Sequence, residues 1–394
     1  MNRTRPPSRD CPYWGLLLLL AVGLLASASN FAIADSAAPA VKTETVVAGL
    51  DTPLAVVVRP NGGDLFVSES GAGRVVRIVP GKDAKPLPAI TGFPVGQAPD
   101  LPELRAGPLG LAFFPATEYL VVGSGGEGPG KDAVRLFSLP ANNKPLSLDD
   151  AKKVLTIQPD SHGEKPEAQS ATGESWFYAV AAASTHRQGT RSPGATEGSE
   201  LVPYAIFATS HGDAGGLVSR AWTPEAKDKH HEMIFAPLRP LIATAKLAHT
   251  GNPSALVISK RNELVVGEGG KLDKSPDSSL SFYNPSNGKL LLNLPTGLLD
   301  IAGLAYSPQT GLLYAVDAAW ADAAKAGLYR LDASESGGEM GVKAVKITSL
   351  DRPTALCFAP DGVLYVTILG PARPADAKPG APKTGQLLKI TGGL

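Results

Sequence analysis

The 394-residue chain carries 37 basic against 37 acidic side chains, 43% hydrophobic residues, 43 glycines and 35 prolines. Balanced charge removes any global attraction to nucleic-acid phosphates, so no nucleic-acid partner is expected. Two cysteines, Cys11 and Cys357, exclude a disulfide framework, a thiolate zinc cluster and an iron-sulfur site.

Residues 1–34 read as an export signal: arginines at 3, 5 and 9, an apolar run from Leu16 to Ala26, then small residues ending in Ala32-Ile33-Ala34. Cleavage removes Cys11 and leaves Cys357, inside "TALCFAP", as a small buried hydrophobe. Residues 35–41 read as a short linker. No later apolar stretch approaches the roughly 20 residues that cross a bilayer. The expectation is a periplasmic or secreted monomer with no integral membrane domain after cleavage, an uncleaved anchor being the other reading.

From residue 42 onward a helical period is almost absent. A short apolar run is followed by a polar turn, a second apolar run, a Gly-rich turn and a third run. The first such unit is "PLAVVVRPNGGDLFVSESGAGRVVRIVPG" from Pro53, where Asn61-Gly62 predicts a tight hairpin because both residues tolerate positive φ. Related units begin at Pro108, Pro253, Ile301 and Pro353. Indexing the first strands by Ala55, Gly110, Ala255, Gly303 and Ala355, and the second-strand ends by Glu69, Ser124, Glu268, Asp317 and Ile368, gives a separation of 13 or 14 residues each time.

The long gap between Gly110 and Ala255 holds a sixth unit, indexed by Ala179 and Thr209, whose separation of 30 implies an inserted loop at about 185–200. Six units at a mean spacing of about 60 residues, each with three or four strands, predict an all-β, six-bladed β-propeller over residues 42–394. "VKTETVVAGL" precedes the first unit without a partner of its own, and the last unit ends at its third strand. The N-terminal strand is therefore expected to complete the last blade. Outer strands are expected at "PLPAITGF", at "HEMIFAP" or "RPLIATAKL", at "GKLLLNL" and at "VKAVKITSL", with a short strand at "KKVLTIQ".

The units "GLDTPLAVVVRPNGGDLFVSESGAGRVVRI" and "LDRPTALCFAPDGVLYVTILG" resemble NHL-type repeats and, more widely, the six-bladed superfamily of soluble quinoprotein sugar dehydrogenases and gluconolactonase-like hydrolases. The resemblance implies architecture more than chemistry, because this scaffold hosts both enzymes and binding modules. Gluconolactonase-like enzymes hold a divalent cation in the channel. The quinoproteins use PQQ with a histidine base, nearby arginines and loop-bound calcium, and no such calcium loop can be located here.

Second-strand ends converge on one face of a propeller, so Glu69, Glu268 and Asp317 are candidate ligands for Ca2+ or another divalent cation. The other reading makes them loop acids, each bonded to a neighbouring turn. His211, in "ATSHGDAGG", is the candidate catalytic base, with a turn-capping histidine as its plainer reading, and Thr209 beside it is a candidate ligand-binding residue. Trp176 and Tyr178 are candidate ligand-stacking residues or strand residues with alternating burial. Arg187, in the inserted loop, is a candidate rim contact. His230 and His231 are adjacent and face opposite ways if they lie in a strand. "WADAAKAG" after Asp317 is expected to cover one side of the mouth. The leading functional expectation is a binding module for a small ligand, a carbohydrate or a protein, without catalytic chemistry. The alternative is a channel-mouth enzyme, either a metal-dependent lactonase or lyase, or a quinone-dependent sugar oxidoreductase.

Overall fold

The computed structural model describes residues 41–98, 101, 104–114, 118–157, 172–184, 204–212, 215–222, 235–248, 251–336, 338–371 and 383–394. The export signal, the insertion at 185–200 with Arg187, and His162, His186, His230, His231 and His249 lie outside them.

Six sheets of antiparallel radial strands form the propeller, and the sheet of blade one also takes Leu146–Ser147 in parallel on its outer edge. Blade one runs Pro53–Val58, Leu65–Glu69, Arg74–Ile78 and Leu87–Thr91, and blade two Pro108–Phe113, Tyr119–Ser124, Val134–Ser138 and Lys153–Leu155. Blade three comprises Val180–Ser184, Tyr204–Gly212, Gly215–Trp222 and Arg239–Ala243, which places its outer strand in "RPLIATAKL". Blade four is Pro253–Ile258, Leu264–Glu268, Ser279–Tyr283 and Leu290–Pro295; blade five is Ile301–Tyr306, Leu313–Asp317, Gly327–Ser336 and Glu339–Ser349. Blade six has Pro353–Phe358, Leu364–Ile368 and Gly385–Thr391. Its fourth strand is the N-terminal Lys42–Leu50, paired antiparallel with Gly385–Thr391. This closure ties the two ends of the ring through backbone hydrogen bonds and gives blade six its fourth strand.

The register is as regular as the spacing. In blades one, two, four, five and six the first residue of the inner strand faces the last residue of the second, and an irregularity follows at once: Pro53 opposite Glu69, Pro108 opposite Ser124, Pro253 opposite Glu268, Ile301 opposite Asp317, Pro353 opposite Ile368. Proline is tolerated there because it opens an edge strand facing the channel. Each pair of neighbouring blades shares one apolar cluster, the last joining blade six to blade one through Tyr365, Leu387, Val56 and Val67. The core is thus a ring of six inter-blade layers.

Two details differ from the expectations. The blade-one hairpin is wider than a two-residue turn: Arg59 N–H bonds to Asp64 O, and the positive φ falls on Gly63 at 71° rather than on Asn61 or Gly62. In blade three, residues 176–179 precede the inner strand instead of belonging to it.

All six index residues of the inner strands line the central cavity: Ala55, Gly110, Ala179, Ala255, Gly303 and Ala355. Close approach of neighbouring inner strands explains their size. A Cβ on Gly110 would lie 2.8 Å from the Tyr178 carbonyl oxygen and 2.9 Å from the Val180 nitrogen, both backbone atoms. Gly110→Ala is therefore expected to destabilise the protein by about 1–3 kcal/mol, read as a lower urea midpoint at unchanged m-value.

Candidate functional site

A pocket of about 170 Å³ opens where the inner strands begin, at the loop-bearing end of the channel. One wall is aromatic. Trp176 and Tyr178 stack with ring centroids 6.1 Å apart, and the His211 ring meets the edge of Tyr178 at 5.8 Å. Trp320 lies elsewhere around the same pocket, in the segment expected to cover the mouth, and is held there by turns. A short hairpin, Gly96–Gln97 with Arg105–Ala106, brings Ala98, Leu101 and Leu104 to the rim. The hairpin sits close because Gly126 lacks a side chain: a Cβ there would lie 2.5 Å from Ala106 O and 2.6 Å from Gly96 N.

Both tryptophans are fixed through their main chains by buried aspartates. Trp176 adopts φ 59°, and its N–H donates to Asp132 Oδ2 at 3.2 Å. Trp320 follows Ala319, which has φ 43°, and donates its N–H to Asp300 Oδ2 at 2.9 Å. Left-handed backbone at non-glycine residues costs of order 1–3 kcal/mol, and such strain gathers at binding and catalytic sites. Here it places two indoles on one cavity.

Asp300 is the residue that sequence reading missed. It is 3% exposed, it lines the pocket, and its Oδ1 is buried without a hydrogen bond from any described residue. Its carboxyl is pushed up to about 6, first by burial, with Asp317, Asp277 and Asp273 adding like-charge repulsion against the single Trp320 N–H that favours ionisation. A signal was present: Leu-Asp recurs before the inner strands of blades one, five and six, at Asp51, Asp300 and Asp351. Nothing in that recurrence shows which copy is surrounded by acids.

The three candidate metal ligands are placed otherwise than a metal centre requires. Glu69 is 1% exposed and accepts the Asp51 N–H at 2.9 Å, with Arg74 on its other oxygen at 2.6 Å. Asp317 is fully buried and accepts N–H groups from Leu299 at 3.0 Å, Asp300 at 2.8 Å and Ala319 at 3.0 Å. Glu268 is fully buried at the equivalent place in blade four. In blades one and five the acid fastens the loop that enters its own blade's inner strand. Among the described residues no group of three or more His, Cys, Asp or Glu side chains is disposed to hold a metal ion.

Thr209, also fully buried, does not line the pocket; its hydroxyl accepts the Ala179 N–H at 2.9 Å. Trp176, Tyr178 and His211 do line it, and Arg187 falls outside the described residues. Cys357 carries no disulfide, and burial pushes its thiol up, which keeps it an inert lining residue at the far end of the channel.

The sequence matches no protein-family model and no curated protein. Its fold matches solved six-bladed propellers. An oxidoreductase from Thermus thermophilus, described as a glucose dehydrogenase, aligns at 19% identity and TM-score 0.52 over 89% of this chain and 100% of that one. The PQQ-bound aldose sugar dehydrogenase of Streptomyces coelicolor aligns at 14% and 0.53, over 90% and 98%. The apo soluble aldose sugar dehydrogenase of Escherichia coli aligns at 14% and 0.53, over 89% and 99%. The fold is thus a six-bladed β-propeller like those of these solved proteins. The expectation of a binding module without catalytic chemistry is corrected by these neighbours, whose descriptions are those of enzymes built on the same channel. Among the described residues no helix is long and apolar enough to cross a membrane.

PQQ is a tricarboxylate, and the pocket does not fit it. None of its described lining residues is Lys or Arg, and Asp300 is the one carboxylate among them. Desolvating three carboxylates beside a buried acid without a counter-charge is strongly unfavourable.

Proposed function

We propose that the protein is an exported channel-mouth enzyme that opens a small cyclic ester with Asp300 as general base. One observation carries the reading: a buried carboxyl that lines the cavity, one oxygen unbonded by any described residue and its pKa moved toward neutrality, shares a small pocket with a histidine and an aromatic platform. An activating base works best when its pKa approaches the working pH, and burial supplies that shift here. The Asp300 carboxylate takes a proton from water as the water oxygen bonds to the ester carbonyl carbon. The ring C–O bond then breaks, and the departing alkoxide takes the proton that Asp300 received, which returns the carboxylate to its starting state. Trp176, Tyr178 and Trp320 hold the ring in place. Export rests on the arginine-flanked apolar run before residue 34, and the NHL-like character rests on the Pro-led strand pattern of blades one and six.

The test is a proton-release assay of the purified, untagged protein against five- and six-membered lactones. Saturable ring opening above the buffer rate is expected, in EDTA as well as in calcium. No acceleration with any lactone, combined with sugar-dependent dye reduction on adding PQQ, would place the chemistry in the oxidoreductase class instead.

A further inference from the structure

The polar groups at the mouth are few once their existing bonds are accounted for. Thr354 and Ser254 line the pocket, yet both hydroxyls are committed across blade junctions: Thr354 Oγ1 donates to the Pro53 carbonyl at 2.7 Å, and Ser254 Oγ donates to the Ile301 carbonyl. Of the remaining side chains, Asn252, His211, Asp300 and the Tyr178 hydroxyl are the polar ones. Leu54, Leu101, Leu104, Leu272, Ile301 and the two indoles dominate the rest. A monosaccharide lactone buries four hydroxyls besides its ester, and each hydroxyl left without a partner costs about 1–3 kcal/mol. Asp300 stands among Asp317, Asp277 and Asp273, and neither Lys nor Arg lies in the described lining, so a carboxylate ligand meets repulsion from the acids without a guanidinium or ammonium to offset it.

We infer that the pocket selects an uncharged ring compound with an apolar body, such as an alkyl-substituted lactone, and rejects both polyhydroxylated sugars and carboxylate-bearing molecules. This deepens the proposed function, since the ligand occupies the site at which Asp300 acts, and it sets the protein apart from the sugar dehydrogenases whose fold it shares. The apolar body packs on Trp176 and Trp320, where burial of ring surface supplies affinity, and once Asp300 faces the reacting ester the remaining polar side chains, Asn252, His211 and Tyr178, are fewer than the hydroxyls of a monosaccharide lactone.

Two measurements separate this inference from the catalytic reading. Calorimetric titration with cyclohexanol, myo-inositol and cyclohexanecarboxylate compares three six-membered rings that do not react. Cyclohexanol is expected to bind at least about a hundredfold more tightly than inositol, with cyclohexanecarboxylate weaker than cyclohexanol by about tenfold or more. Equal or tighter binding of inositol or of the carboxylate overturns the inference, whatever the turnover results show. The second measurement compares kcat/KM for δ-octalactone and glucono-1,5-lactone, which share the reacting ring. A preference of at least about a hundredfold for δ-octalactone is expected. A preference for gluconolactone overturns the inference while leaving Asp300 as the base. Discrimination in the titration without turnover of either lactone overturns the catalytic reading alone, and the ligand selectivity stands.

Discussion

Asp300→Asn is expected to lower kcat/KM for lactone opening by about 10²- to 10⁴-fold, the usual worth of a positioned acid-base group, while the protein still folds. An asparagine oxygen can accept the same Trp320 N–H that Asp300 Oδ2 accepts, so the indole keeps its support. In the unsubstituted enzyme, activity should rise with pH through a midpoint near the raised value of about 6, as the base becomes ionised. The residual activity of the variant should lack that limb.

Stability should move the other way. The folded carboxyl titrates near 6 against an ordinary 3.8, so between those values the folded state binds the proton more tightly than the unfolded chain. The stability so gained is complete below about pH 4 and is lost as pH rises through about 6. Asn lacks this dependence. Relative to the unsubstituted protein, the variant should therefore be more stable at pH 7 than at pH 4, by up to about 3 kcal/mol. Thermal melts at the two pH values check the sign. A variant that loses activity and also loses stability at pH 7 would show that Asp300 serves the fold alone.

Asp317→Ala is expected to cost at least about 3 kcal/mol, because three buried N–H groups, of Leu299, Asp300 and Ala319, lose their acceptor together. Urea denaturation measures the loss, and Asp317→Asn, which keeps one acceptor oxygen, should lose less. Neither midpoint should respond to calcium or EDTA. A calcium-dependent rise in the unsubstituted protein that vanishes in Asp317→Ala would instead restore the metal reading of Glu69, Glu268 and Asp317. A secondary effect follows from charge: without Asp317 the Asp300 carboxyl experiences less repulsion, so in Asp317→Asn the activity midpoint should shift to lower pH.

Much of the architecture is written locally. A strand declares itself by its alternating or continuous apolar run, a turn by its glycine, and a blade by the recurrence of both at a fixed distance. The spacing of Ala55, Gly110, Ala179, Ala255, Gly303 and Ala355 therefore defined six units before any coordinates, and all six residues line the central cavity. Closure by Lys42–Leu50 was legible for the same reason, as a strand lacking a partner at one end and a blade lacking a strand at the other.

The chemistry of the mouth was not legible, because a side chain's role depends on what surrounds it in space. Glu69 and Asp317 stand at equivalent repeat positions and read as ligands, but the folded loops aim main-chain N–H groups at their oxygens and use them as fasteners. Asp51, Asp300 and Asp351 share a local pattern. Asp51 is engaged by Lys383, Asp351 lies exposed, and only Asp300 is both buried and set among other acids. Trp320 follows a turn in blade five and Trp176 an inserted approach to blade three, and the ring brings them to one cavity. The sequence by itself determined the number of blades, their order and the seam that closes them, since these follow from local periodicity. Only the tertiary structure decided which acid stands buried among other acids and which braces a loop, since desolvation and hydrogen bonding are set by neighbours far away in the chain.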